Sequence, residues 1–317
     1  MKILITDKIE DEIIQMFKNA GHAVTYNELD ADTLLREVSK YDGLLVRSRT
    51  KVVTDVVNMG AKGNLKVIGR AGVGVDNIDV KTASKLGIKV VNAPTGSTVS
   101  VAELAFGMML SAARSIPQAD RSMKQGLWDK KTFKGVELSG KTLGIIGVGR
   151  IGAELAKRAM AFNMTVVAYD KFVKKSPIPK VSLVSLDKLL KESDYISLHI
   201  PFVKEEGATI RESEFEAMKN GVTIVNCARG GVVDEKVLLK YLESGKVRAA
   251  CLDVYETEPP VFKDIVNHPK VICTPHIGAS TKEAQIRAGT ITAEQMMMVL
   301  SGKTPDFWVN KQLMATV

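Results

Sequence analysis

Cysteine is scarce and poorly spaced for structural use: Cys227, Cys251 and Cys273 are the only three in 317 residues, and none belongs to a CxxC pair. That spacing excludes a zinc knuckle, a redox dithiol and a disulfide scaffold, and it points to a reducing, cytoplasmic setting. No apolar run approaches the roughly 20 residues that a membrane helix requires. Asp7 and Lys8 interrupt the N-terminal apolar stretch before the core of a signal peptide is complete. A protein that neither crosses nor enters a membrane is expected. Aromatic residues make up only 5% of the chain, and the net charge of +8 is scattered, with no long basic run and no interleaved aromatics. Nucleic acid is therefore not an expected partner, and no metal site is expected. A few local cations suit a small anionic substrate better.

What is present is an ordinary globular composition, 45% hydrophobic and 25% charged, in a chain long enough to divide into two domains. Short β-branched runs at 2–6, 22–26, 43–47, 65–69 and 88–92 alternate with amphipathic stretches at 10–18, 31–39, 54–59 and 80–86. That is a parallel βα succession. One long helix is expected over 97–126, opened by Pro94-Thr95-Gly96-Ser97 and buried along 101–114, where small and apolar residues lie on most faces. Strand-like runs then resume at 142–147, 165–169, 195–200, 222–226, 248–253 and 271–274. The class is α/β, with two doubly wound parallel sheets, and the last helix, 282–301, is placed to return to the first half.

Gly147, Gly149 and Gly152 form GxGxxG between a strand and a helix, the context that a dinucleotide fingerprint requires. The first glycine permits the tight turn, the second lets backbone approach a pyrophosphate, and the third lets helix and strand pack closely. Free N–H groups and the positive end of the helix dipole then face the phosphates. Asp170, eighteen residues beyond Gly152, ends the next strand, where a carboxylate accepts from ribose hydroxyls and repels a 2′-phosphate. NAD is favoured over NADP, although Lys171, Lys174 and Lys175 are positioned to soften that preference. The earlier pair Gly72 and Gly74 lacks a third glycine. It is either a carboxylate-binding loop or simply a βα turn.

Reduction or oxidation at a carbinol carbon needs a proton donor or acceptor, and the chain has four histidines. His22 and His268 read as surface residues. His199 and His276 both stand at the carboxyl ends of strands, where ligands of open α/β sheets collect. Arg229, after the strand at 222–226, suits bidentate binding of a carboxylate, and an acid in the segment 254–260 could orient a histidine. A purely structural ion pair between Arg229 and Glu258 is the competing reading.

These ordered motifs, Val46-Arg47-Ser48-Arg49-Thr50, Gly69 to Asn77, Gly144 to Gly152, Asn226 to Gly231 and Pro275 to Gln285, together resemble the D-2-hydroxyacid dehydrogenase family, in particular its phosphoglycerate-oxidising branch. The resemblance implies a Rossmann cofactor domain, 98–283, inserted into a flavodoxin-like substrate domain made of 1–97 and 284–317, with the active site in the cleft and a homodimer formed through the cofactor domains. It implies NAD as cofactor and a small 2-hydroxy or 2-oxo acid as substrate. His276 would be the acid/base, Glu258 its partner, and Arg229 the carboxylate ligand, with Gly72 and Val73 offering N–H groups to the same carboxylate. Arg150, Ile151, Ile200, Pro201, Cys227, Ala228, Asp253 and Gly278 would line the cofactor beside the three glycines and Asp170, with Asp253 on the nicotinamide carboxamide. Arg47, Ser48 and Arg49 would meet a substrate phosphate, helped by Lys130 from a neighbouring subunit. The two arginines, two apart at a strand end, are expected on one face.

The implied reaction is oxidation of 3-phospho-D-glycerate to 3-phosphohydroxypyruvate, the entry to serine synthesis. A glyoxylate or hydroxypyruvate reductase or another D-2-hydroxyacid dehydrogenase is the alternative, with an NADH-sensing corepressor as a more remote one. Two departures from the family pattern stand out. Phe202-Val203-Lys204-Glu205-Glu206 replaces a threonine-rich stretch, and only seven residues follow Val309-Asn310, too few for a serine-sensing domain.

Overall fold

The computed structural model describes residues 1–315. It divides into two compact units: residues 1–98 with 279–317, and residues 99–278. The first unit holds five strands: β1 (Lys2–Ile5), β2 (Ala23–Tyr26), β3 (Gly43–Val46), β4 (Val67–Arg70) and β5 (Lys89–Asn92). They pair in the order β2-β1-β3-β4-β5, all parallel. Central β3 is buried along its whole length whereas edge β2 is mostly exposed, as expected when crossover helices cover both faces of a parallel sheet. The helix Lys282–Leu300 belongs to this unit. Two glycines admit it: a Cβ on Gly43 or Gly69 would lie 3.0 or 2.3 Å from the side chain of Met296, which is fully buried. Its Thr292 hydroxyl also donates to the Arg70 carbonyl at 3.1 Å.

The second unit holds β6 (Thr142–Ile146), β7 (Thr165–Tyr169), β8 (Ser182–Leu183), β9 (Tyr195–Leu198), β10 (Val222–Asn226), β11 (Val247–Leu252) and β12 (Val271–Cys273). Their order is β12-β11-β10-β9-β6-β7-β8, again parallel throughout. Alternate residues feed two cores, Ile145 to one face and Ile146 to the other. The order reverses at β6, whose carboxyl end is therefore the switch point where a ligand crevice forms.

The single helix expected over 97–126 is two. Thr98–Arg114 and Ile116–Lys124 meet at 64° across Ser115, which adopts the left-handed φ of +51°. Pro117 is the cause, because a proline has no N–H and is tolerated only in the first turn. The Ala113 carbonyl accepts instead from Val136 N–H at 2.9 Å. Among the described residues no single helix is long and apolar enough to cross a membrane. Expected strands also overran: 43–47 stops at Val46 and 195–200 at Leu198, where the backbone turns away toward candidate site loops.

The segments that follow β3 and β4 are tied together by one carboxylate. Asp79 caps the helix Val80–Lys85, accepting from the Thr82 N–H at 3.0 Å and from the hydroxyls of Thr82 at 2.7 Å and Thr54 at 2.6 Å. These bonds, led by the one from Thr54, hold its pKa down from 3.8 to about 2. Because the folded-state value is depressed, its stabilisation is complete above 3.8 and fades as pH falls through about 2. Asp79→Ala is expected to cost about 1–2 kcal/mol in urea denaturation at neutral pH, with a smaller deficit at the acid extreme. A wild-type midpoint at pH 7 would remove Asp79 from this role.

Candidate active site

The carboxyl end of β6 opens onto the glycine turn. Gly147 has φ +97°, and a Cβ there would lie 2.6 Å from the His199 carbonyl oxygen. A Cβ on Gly152 would meet the Gly147 oxygen at 2.4 Å, so helix and strand touch backbone to backbone. Gly149 is different: no atom lies within 4 Å of its Cβ position, and it precedes the helix Arg150–Ala161. An open, side-chain-free helix start is what a pyrophosphate needs, so these residues fit the phosphates of a dinucleotide. Arg150 is exposed and Ile151 half-buried at that start. Asp170, just past β7, accepts from Val148 N–H at 2.9 Å and from the N–H groups of Phe172 and Val173 at 2.9 and 3.1 Å. The carboxylate is thus fixed against the glycine turn.

Two histidines competed for the acid/base role, and the structure separates them. The Nε2 of His199 is 2.9 Å from the Ser197 hydroxyl, its Nδ1 is sealed from solvent, and burial drives its pKa down to about 4. It is a neutral ring at physiological pH. His276 is half-exposed, with Nδ1 2.7 Å from Glu258 Oε2. The acid in contact is therefore Glu258. Glu256 instead faces Glu235, whose buried carboxylate accepts from the Glu256 N–H at 2.8 Å and has a pKa raised mainly by burial.

His276 adopts φ +53°, a left-handed conformation that a histidine holds only under constraint. The constraint is Asp253, 1% exposed just beyond β11. Its Oδ1 accepts from the Thr274 hydroxyl at 2.6 Å and Ile277 N–H at 2.8 Å, and its Oδ2 from Gly278 N–H at 2.8 Å. Gly278 packs tightly as well, a Cβ lying 3.0 Å from Asp253 Oδ2. Arg229 follows β10 and donates to the Ala228 carbonyl at 2.7 Å. Buried Asn226 closes this loop by donating to the Arg229 carbonyl and accepting from Ala228 N–H, at 2.9 and 3.1 Å. Gly230 then presses on the neighbouring loop, since a Cβ there would stand 1.7 Å from the Tyr255 oxygen. Backbone contact thereby joins the arginine loop to the loop of Glu258.

Ile200 touches the Gly147 position, and exposed Pro201 and Phe202 follow it, with the Phe202 ring 2.9 Å from where a Gly231 Cβ would be. Cys227 turns inward: its Sγ lies 3.8 Å from Met108 Sδ, and burial pushes the thiol pKa well above its ordinary range.

In the first unit the arginines do not extend a strand. β3 ends at Val46, so Arg47, Ser48 and Arg49 lie in a bend and the two-residue alternation no longer applies. Arg47 donates to the Lys8 carbonyl at 3.0 Å. Arg49 bonds the Thr6 carbonyl and pairs with Asp7 at 3.2 Å and Glu28 at 3.7 Å. The Gly72 N–H, expected to be on offer, donates to the Arg70 carbonyl at 2.8 Å, which ties it into its own turn. Gly72 has φ +154°, and a Cβ there would strike Arg70 Nη1 at 1.4 Å. Arg70, absent from the expected site, therefore lays a guanidinium against this loop. Its position at the end of β4 was the available signal. Lys130 lies in an exposed segment beside Trp128, which is 81% exposed.

A parallel sheet with a glycine-lined helix start at its switch point, and an acid ending the next strand, defines a dinucleotide-binding α/β protein. Comparison with known proteins narrows this. The profile described as D-isomer specific 2-hydroxyacid dehydrogenase, NAD binding domain, matches residues 106–278. The chain is 49% identical over 313 residues to D-3-phosphoglycerate dehydrogenase of Methanocaldococcus jannaschii, covering 98% of this chain and 59% of that one. It spans about three fifths of the phosphoglycerate dehydrogenases it matches, for that of Archaeoglobus fulgidus 58%. It is also 47% identical over 303 residues to hydroxypyruvate reductase of Thermotoga maritima, covering 94% of this chain and 98% of that one. A solved glyoxylate reductase from Paecilomyes thermophila superposes with a TM-score of 0.88 at 29% identity, covering 98% of this chain and 99% of that one. The chain belongs to the D-2-hydroxyacid dehydrogenase family, and its cofactor is NAD.

The Gly230 contact yields a direct check. Gly230→Ala forces a methyl group into the Tyr255 carbonyl and is expected to destabilise the protein by about 1–3 kcal/mol. Urea unfolding at the wild-type midpoint would mean that the two loops do not touch in solution.

Proposed function

We propose that the protein oxidises the carbinol carbon of 3-phospho-D-glycerate to give 3-phosphohydroxypyruvate. The His276–Glu258 contact at 2.7 Å carries this reading, because it pairs an accessible imidazole with a carboxylate. NAD, when bound, supplies the hydride acceptor. As the hydride leaves C2, His276 takes the hydroxyl proton on Nε2, and Glu258 at Nδ1 stabilises the imidazolium that results. Arg229 pairs with the substrate carboxylate, for which its forked guanidinium is suited. In this reading Asp253 serves the nicotinamide carboxamide with whatever acceptor capacity its three present bonds leave.

The phosphate specificity is supported by the guanidinium groups of Arg47 and Arg49 at the carboxyl end of β3 and by the similarity to the phosphoglycerate dehydrogenase of Methanocaldococcus jannaschii. Reduction of hydroxypyruvate is the second reading. It is favoured by the match along 98% of the Thermotoga maritima reductase, and by the engagement of Arg49 with Asp7 and Glu28, which leaves its charge partly neutralised. A homodimer fits the exposed apolar residues Met123, Leu127 and Trp128 around Lys130, and three cysteines without disulfides fit a cytoplasmic setting.

His276→Ala is expected to lower kcat by about 10²–10⁴ while NADH binding persists. Unchanged turnover in that variant would refute the acid/base assignment. Wild type is expected to prefer the phosphorylated acid in kcat/KM, and Arg47→Ala to erase most of that preference. Equal kcat/KM for glycerate and 3-phosphoglycerate would transfer the assignment to the reductase reading. Sedimentation equilibrium should give twice the chain mass of 34.5 kDa, and a single-chain mass would dismiss the dimer.

A further inference from the structure

The carboxylate of Asp170 is followed at once by a cation. On charge alone Lys171 would attract a 2′-phosphate, and Lys174 and Lys175 extend the same basic segment. The structure gives Lys171 another partner. Its Nζ lies 3.2 Å from Glu206 Oε1 and 3.5 Å from Oε2, with the Phe172 ring centroid 5.9 Å away. Glu206 arrives from a different strand end, in the segment that departs from the family's threonine-rich pattern. The N–H groups of Glu206 and Gly207 both donate to the Val203 carbonyl at 3.1 Å, and Gly207 closes the turn at φ +70°. A defined turn therefore presents this carboxylate to Lys171. Both side chains are more than half exposed, at 60% and 64%, so the pair contributes little to stability. What it does change is the local charge.

We propose that Glu206 is a cofactor-specificity residue: it occupies and neutralises Lys171, so that the adenosine-ribose edge marked by Asp170 rejects the 2′-phosphate of NADP. The inference rests on Asp170 marking that edge. A phosphate carries close to two negative charges and draws lysine strongly, whereas ribose hydroxyls are neutral. With Glu206 in place, the cation is already paired and is not available to a 2′-phosphate. That pairing acts against the phosphorylated cofactor and leaves NAD nearly untouched.

The test is equilibrium titration with NADH and with NADPH, by calorimetry, in wild type, Glu206→Gln, Lys171→Ala, the double variant and Asp170→Ser. The ratio of the NADPH Kd to the NADH Kd is expected to fall by more than about twofold, and up to about fivefold, in Glu206→Gln, the scale of one exposed charge pair. In the Lys171→Ala background the same substitution is expected to change the ratio by less than about twofold, because the lysine mediates the effect. A ratio in Glu206→Gln within about twofold of wild type overturns the proposal, as does an undiminished effect without Lys171. Asp170→Ser separates the two layers of the argument. If it leaves the ratio unchanged, the cofactor reading of Asp170 is wrong; if it lowers the ratio while Glu206→Gln does not, only the Glu206 proposal fails.

Discussion

The carboxylate of Asp253 takes three hydrogen bonds from the segment Thr274–Gly278, and His276 sits in the middle of that segment at φ +53°. A left-handed histidine costs on the order of 1–2 kcal/mol, and an unpaired carboxylate at 1% exposure would cost considerably more. Each removes the other's penalty. The turn provides donors to the acid, and the acid holds the turn in a conformation that aims the imidazole at Glu258. Without that exchange, β12 would end in an ordinary loop and the 2.7 Å contact would have no fixed geometry.

The remainder of the second unit follows from parallel pairing. Parallel strands deliver all their carboxyl ends to one edge, so the loops after β6, β7, β9, β10, β11 and β12 are neighbours without being close in sequence. Their approach is governed by glycine. Gly147 yields to the His199 carbonyl, Gly152 to Gly147 and Gly230 to Tyr255, and in each case a methyl group would collide with backbone, which cannot swing aside. The exception is Gly149, with no atom within 4 Å of its Cβ position. Charge is distributed on the same edge with equal economy: Asp170 is bound into the glycine turn, and Glu206 is bound to Lys171.

Periodicity made the strands and the two-sheet class readable, and the GxGxxG context located the cofactor turn, because these features are local in sequence. The break at Ser115 was also local, signalled by Pro117, but the small apolar residues before it concealed the stop. Other features were not local. Whether His199 or His276 is accessible depends on what packs over each ring, and whether Glu256 or Glu258 faces the histidine depends on Glu235, 21 residues before Glu256. The positions of Arg47 and Arg49 failed for a related reason: the alternation rule holds within a strand, and β3 ends one residue before them. Asn226 and Arg70 escaped notice because each acts on a loop backbone, which no side-chain motif records.

The central claim is that His276, supported by Glu258, accepts a proton while hydrogen leaves C2 of the substrate as hydride. The most direct measurement uses 3-phospho-D-glycerate bearing deuterium at C2, with mass spectrometry of the reduced dinucleotide. The account predicts one deuterium in the NADH formed, none lost to solvent, and labelled NADH appearing about 10²–10⁴-fold more slowly when His276 is replaced by alanine. Reduced cofactor carrying no deuterium, or label released into water, would contradict it.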